Sequence, residues 1–187
     1  MEKARVEVWA YCLMPNHVHL ILCPAVETGL ARAMGAAHRR WANHINARGR
    51  WRGHLFDGRY ASVATDEPHF VTAVRHVALN PVRARLVPAA EEWPWSGVRA
   101  HLKGENDSLV VVEPVLRRVK DFAALIRTPA NDGTFAPLRA AELIGRPLGS
   151  DEFICGLERM LGLRIARGAP GRKKPEVLFA QSDLFGC

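Results

Sequence analysis

Two short alternating runs either side of Met14-Pro15-Asn16 leave the start of this chain little option but a β-hairpin. Residues 5–12 set Val6, Val8 and Ala10 against Glu7, Trp9 and Tyr11, the period of two that marks a half-buried strand. Pro and Asn suit a tight reversal. Residues 17–23 (His-Val-His-Leu-Ile-Leu-Cys) then form the returning strand, and Pro24 ends it. Residues two apart on a strand share a face, about 6.5–7 Å apart along the chain. His17 and His19 therefore project together, while Val18, Leu20 and Leu22 face the other way.

Two imidazoles placed like that can hold one divalent cation and leave positions open for phosphate oxygens. A cation there would polarise a phosphate and stabilise the charge that develops as it is displaced. Taken alone, the pair also reads as two histidines on a half-buried strand.

Thr28 is a fitting N-cap for a helix running to about Asn46. Leu30, Met34, Ala37, Trp41 and Ile45 recur every three or four positions as its buried stripe, and Arg32, Arg39 and Arg40 lie opposite. Residues 51–60 form a loop that leads into a third strand near 59–64. Thr65 or Asp66 caps a second helix, with Pro68 tolerated in its first turn. Phe70, Val74 and Val77 line its apolar side; His69, Ala73, His76 and Asn80 share another face at helical spacing. Pro81 disfavours helical geometry at Asn80, so the helix is expected to end there.

Beyond Trp93-Pro94-Trp95-Ser96 the composition changes. Residues 105–135 mix Asp, Pro and short apolar runs, and shorter helices are expected near 135–144 and 150–162. The stretch Arg167-Gly168-Ala169-Pro170-Gly171-Arg172-Lys173-Lys174-Pro175 reads as a flexible basic tail. The expected division is a domain over 1–102, a helical extension over 103–165 and a tail over 166–187.

Bulk composition bounds the function. With 187 residues and 48% hydrophobic content the chain can bury a real core, and with 24% charged residues it is not disordered throughout. A net charge of +7 favours a polyanionic partner, nucleic acid before membrane. Cys12, Cys23, Cys155 and Cys187 show no CxxC pairing, which argues against a zinc ribbon or a disulfide framework and for a reduced, cytoplasmic compartment. No signal peptide precedes the first strand, and no apolar run reaches the roughly 18–20 residues of a membrane span, so a soluble protein is expected.

Four ordered blocks carry a family likeness. Tyr11-Cys12-Leu13-Met14-Pro15-Asn16-His17-Val18-His19-Leu20-Ile21 closely resembles the signature of the REP-associated tyrosine transposases and related single-tyrosine HUH transposases. Trp51-Arg52-Gly53-His54-Leu55 with Gly58-Arg59-Tyr60, then Leu79-Asn80-Pro81-Val82-Arg83-Ala84-Arg85-Leu86-Val87, then Trp93-Pro94-Trp95-Ser96, match the following blocks in order and spacing. The likeness spans roughly residues 5–102 and, more weakly, reaches 175. It implies an α+β fold of ferredoxin-like (RRM-like) type, an antiparallel sheet with helices on one face. It further implies Mg²⁺ or Mn²⁺ at the histidine pair and a tyrosine that attacks a DNA phosphate to form a 5′-phosphotyrosine link. By that resemblance His17 and His19 become metal ligands, and Asn80 completes the site. The implied partner is single-stranded or hairpin DNA from repetitive extragenic palindromes.

Two departures qualify the likeness. The tyrosine is expected one helical turn before Asn80, where this sequence has His76. Only Tyr11, on the first strand, and Tyr60, which reads as packing, are present elsewhere. Three readings of His76 stay open: loss of transposase chemistry, an altered nuclease or metal site, or a nucleophile recruited from elsewhere. The family also carries a strand and a helix before the hairpin. A domain lacking them is expected to be N-terminally truncated, to have a misassigned start, or to have the gap filled by a partner chain, and its unpaired edge on the histidine strand invites a homodimer or aggregation.

Residues 28–60 hold seven arginines and one acid, Asp57, the most basic stretch of the core. Arg39, Arg40, Arg52 and Arg59 are candidates for a phosphate backbone and Trp51 for stacking on unpaired bases, with Arg172, Lys173 and Lys174 as a basic arm. Trp41 is assigned to the buried stripe. His38, His44, His54, His69 and His101 lack ligand spacing and are taken as structural.

Overall fold

The structure is a computed structural model that describes residues 4–128 and 132–165. Strands β1 (Val6–Leu13) and β2 (Val18–Pro24) pair antiparallel, with Leu13 opposite Val18, Cys12 opposite His19 and Val6 opposite Pro24. The Met14 amide donates to the His17 carbonyl (2.9 Å) and closes the turn. Helices follow as α1 (Gly29–Gly49), α2 (Glu67–Arg83), α3 (Val98–Lys103), α4 (Glu113–Leu116), α5 (Phe122–Arg127), α6 (Ala136–Ile144) and α7 (Asp151–Leu161). The fold is α+β, an open antiparallel sheet with helices, consistent with a ferredoxin-like arrangement reduced to two strands among the described residues.

The outer edge of β1 is sealed by later chain. Leu13 donates to Trp95 (2.8 Å), Gly97 to Tyr11 (3.0 Å) and Val111 to Val8 (2.9 Å), all through backbone groups. The Trp93 indole donates to the Leu13 carbonyl (3.0 Å). The Trp93–Ser96 block therefore acts as a clasp along the hairpin. Gly97 belongs in it because a Cβ there would lie 3.2 Å from the Tyr11 ring. His101, buried on α3, sets its ring nitrogens 2.8 Å from the Gly97 carbonyl and 3.0 Å from that of Trp9, a structural brace. On the other side, β2 has no second strand neighbour among the described residues.

Helix α2 is the central pillar. Asp66 caps it by accepting from the His69 amide, and Pro68 sits in the first turn, as expected. Phe70 and Val74 enter a core that also contains Val115, Val119, Phe122, Ile126 and Phe135, so residues beyond 102 share one core with α2. Val77 joins Ala10, Cys12 and Met14 beneath the hairpin. Arg118 ties the layers together: its guanidinium forks onto Glu67 (2.7 and 2.9 Å) and lies over the rings of Trp9 and Phe70.

Three expectations need correction. No third strand forms at 59–64; only Thr65 makes an isolated bridge, to Leu148. The edge of β1 is taken by 95–97 and 110–111, and the open edge of β2 is not used by this segment. Helix α2 does not stop at Asn80 but runs through a buried Pro81 to Arg83. It ends in a Schellman turn, Leu86 donating to Pro81 and Arg85 to Val82 (both 2.9 Å), with Arg85 left-handed at φ 57°. Core packing outweighs the one hydrogen bond that proline removes. Finally, α1 buries only Gly29, Ala33 and Met34; Ala37 is exposed and Trp41 is 54% exposed, stacked on His44. The helix leaves the core after its second turn, so its apolar period continues with nothing to cover it.

Among the described residues no helix is long and apolar enough to cross a membrane, and Cys12, Cys23 and Cys155 are free thiols.

Candidate metal centre

Three elements converge at the hairpin tip. β2 brings His19, with His17 just before it, α2 brings His76 and Asn80, and α6 brings Glu142. The Nε2 atoms of His17 and His19 lie 3.0 Å apart. His17 Nδ1 is 2.7 Å from Asn16 Oδ1, so the asparagine at the turn accepts its proton and leaves the Nε2 lone pair facing His19. The His19 and His76 rings meet edge to face at 5.4 Å. One donor atom from each of His19, His76 and Glu142 lies within 4.8 Å of the other two.

His76 is 3% exposed. Phe135 covers it edge to face at 5.0 Å, Arg83 Nη1 stands 3.1 Å from its Nδ1, and Asn80 Nδ2 is 3.5 Å from its Nε2. Burial, then the neighbouring His19, Arg83 and Arg139, hold its pKa down at about 4. Burial likewise lowers His19 to about 4, helped by His17 and Arg83. Both imidazoles are therefore neutral at pH 7, the form in which histidine can ligate a metal. Burial raises the Glu142 carboxyl, opposed by His17 and Arg139.

The tyrosines are committed elsewhere. Tyr11 donates its hydroxyl to Asp107 (2.8 Å), and burial together with that carboxylate pushes its pKa up to about 12. Tyr60 is half-buried with its ring edge-on to His38. The site thus brings together His17, His19, His76 and Asn80 and no phenol. Glu142 was missed from sequence. The available signal was its position four residues after Leu138 and next to Ala141, a carboxylate within the buried stripe of α6.

The candidate DNA contacts form a separate group. Arg39, Arg40, Arg52, Arg59 and Trp51 are all exposed on α1 and the loop after it. Asn46 donates to the Gly53 carbonyl (3.0 Å), and Trp51 folds back over Gly49, where a Cβ would lie 2.6 Å from the indole. Arg172, Lys173 and Lys174 lie outside the described residues.

Residues 1–78 match the family model described as "Transposase IS200 like". The matched span contains His17, His19 and His76; Asn80 and Glu142 fall beyond it. Neither the curated proteins nor the solved structures give a significant match to the chain.

Proposed function

From the relationship of residues 1–78 to the IS200-like transposases, we propose that this protein binds single-stranded or hairpin DNA without the covalent strand transfer of that family. The targets proposed are repetitive extragenic palindromes, met in the cytoplasm. The observation that carries this reading is His76 at the place expected for the tyrosine, 3% exposed and covered by Phe135. A nucleophile must reach the phosphate it attacks. His76 is shut away from one, and the Tyr11 hydroxyl is held by Asp107.

His17 and His19 are the proposed ligands of a divalent cation, Mg²⁺ or Mn²⁺ in the family, with the Asn80 amide as a further oxygen beside His76. When bound, that cation polarises a phosphate oxygen. Arg83 and Arg139 add positive charge around His76, which suits a phosphate held in place more than one being cleaved. The arginines of α1 and its following loop track the backbone, and Trp51, 65% exposed, with Trp41 offers ring faces to unpaired bases.

Fluorescence anisotropy with a labelled hairpin bearing single-stranded flanks tests this reading. Each phosphate contact on a single strand contributes a slope of roughly −0.7 in log K against log salt. Contacts from Arg39, Arg40, Arg52 and Arg59 would give a slope of roughly −3, and the double change Arg39→Ala, Arg40→Ala should flatten it by roughly 1.4. Trp51→Ala is expected to weaken binding by about 1–3 kcal/mol with the slope unchanged. Salt-independent binding, or none, would remove the proposal.

A further inference from the structure

Among the described residues, one carboxylate, Glu142, meets histidines from two other elements. Helix α6 is held by Leu138 and Ala141 on the stripe that also bears Glu142. Phe135, fully buried against His76 and under the guanidinium of Arg83 (4.9 Å), fixes the turn from which α6 starts. Those contacts set Glu142 over the histidines, so its position follows from packing.

The spacing fits one ion. Donors about 2.1 Å from a cation lie roughly 3 Å apart when adjacent and roughly 4.2 Å apart when opposite. His17 and His19 already stand at the adjacent spacing, 3.0 Å. One donor atom from each of His19, His76 and Glu142 lies within 4.8 Å of the other two, close to the spacing of an opposite pair. Two ring nitrogens facing each other at 3.0 Å need either a proton or a cation between them. His17 has its proton directed at Asn16, which leaves its Nε2 as a donor to metal.

We propose that Glu142 and His76 join His17 and His19 as ligands, and that this set selects a first-row transition cation such as Mn²⁺, Co²⁺ or Zn²⁺ over Mg²⁺. The reasoning is ligand chemistry: Mg²⁺ favours an all-oxygen octahedron with several retained waters, whereas imidazole nitrogen favours the softer cations. The proposal rests on the reading of the histidine pair as a cation site and is independent of DNA binding. It also gives α6 a role, since the helix closes the site with a ligand from outside the matched residues.

The test uses the full chain, stripped of metal, with no DNA present. Titration with Co²⁺ is followed by visible absorption, and Mn²⁺, Zn²⁺ and Mg²⁺ are compared by thermal shift. Wild-type protein should develop cobalt bands and gain stability with Mn²⁺ and Zn²⁺, with Mg²⁺ at the same concentration giving no shift. Glu142→Gln, an isosteric change, should weaken Co²⁺ binding by 10-fold or more, and His19→Ala should abolish it. Wild-type affinity in Glu142→Gln, or Mg²⁺ binding as tight as Mn²⁺, overturns the proposal while leaving the histidine pair in place. Unaltered binding in His19→Ala, or no metal bound by wild-type protein, overturns the histidine reading too. DNA affinity measured in EDTA reports separately on the proposed function.

Discussion

Replacing Phe135 with alanine is expected to cost about 3–5 kcal/mol of stability, the range for emptying a large aromatic from a core. Phe135 has no exposed surface and contacts the His76 ring, with Arg83 stacked over it. It also shares a core with Phe70, Val74 and Ile126, so its removal opens a cavity bounded by α2 and α5. At about 2–4 °C per kcal/mol for a chain of this size, the melting temperature should fall by roughly 6–20 °C. Urea unfolding at unchanged m-value measures the loss directly. Phe135→Leu, which keeps most of the volume, should recover more than half of it. A loss below about 1 kcal/mol would mean that the segment leading into α6 is not anchored on α2.

The second large effect is acid lability. His19 and His76 both have folded-state values of about 4, below the unfolded value of about 6.5. Protons therefore bind the unfolded chain more readily. The stability is complete above about pH 6.5, declines as pH falls toward 4, and is fully lost below the folded values. For the buried His76 the span corresponds to on the order of 3 kcal/mol; His19 adds less, because water partly screens it. Melts at pH 7 and pH 4.5 should differ accordingly, and His76→Gln should flatten the dependence. A melting temperature independent of pH over that interval would contradict neutral, buried imidazoles at this site.

What could be read from residues alone was the local order. The hairpin, its turn and the shared face of His17 and His19 follow from a period of two and from Pro15 and Asn16, and the structure places β1 and β2 within a residue or two of that reading. The Asp66 cap and the Phe70, Val74, Val77 stripe of α2 were equally local. The rest depended on contacts distant in sequence. Pro81 stays helical because the core holds it, and residues 59–64 pair with neither sheet edge, the β1 edge belonging to Trp95, Gly97 and Val111. Trp41 fits a buried period but has no neighbouring surface to bury against. Glu142 reaches the histidines only because Phe135, Leu138 and Ala141 seat α6 there, and no spacing rule joins positions 19, 76 and 142.

The same placements separate the likeness from the proposed activity. The matched residues 1–78 include the histidine strand and most of α2, and His76, where the resemblance leads one to expect a tyrosine, has its ring enclosed by Phe135, Arg83 and Asn80. The proposed DNA binding would use the exposed arginines and tryptophans; joining strands through a covalent intermediate would need a phenol at the site, and Tyr11 and Tyr60 are placed elsewhere.

The most direct measurement mixes the protein with end-labelled single-stranded DNA bearing a hairpin, in Mn²⁺, and splits each sample in two. Anisotropy on one half should show binding that weakens steeply with salt. A denaturing gel on the other should show no label migrating with the protein. A protein–DNA adduct that survives denaturation, mapped to Tyr11, Tyr60 or His76, would contradict the proposal that this protein binds DNA without covalent strand transfer.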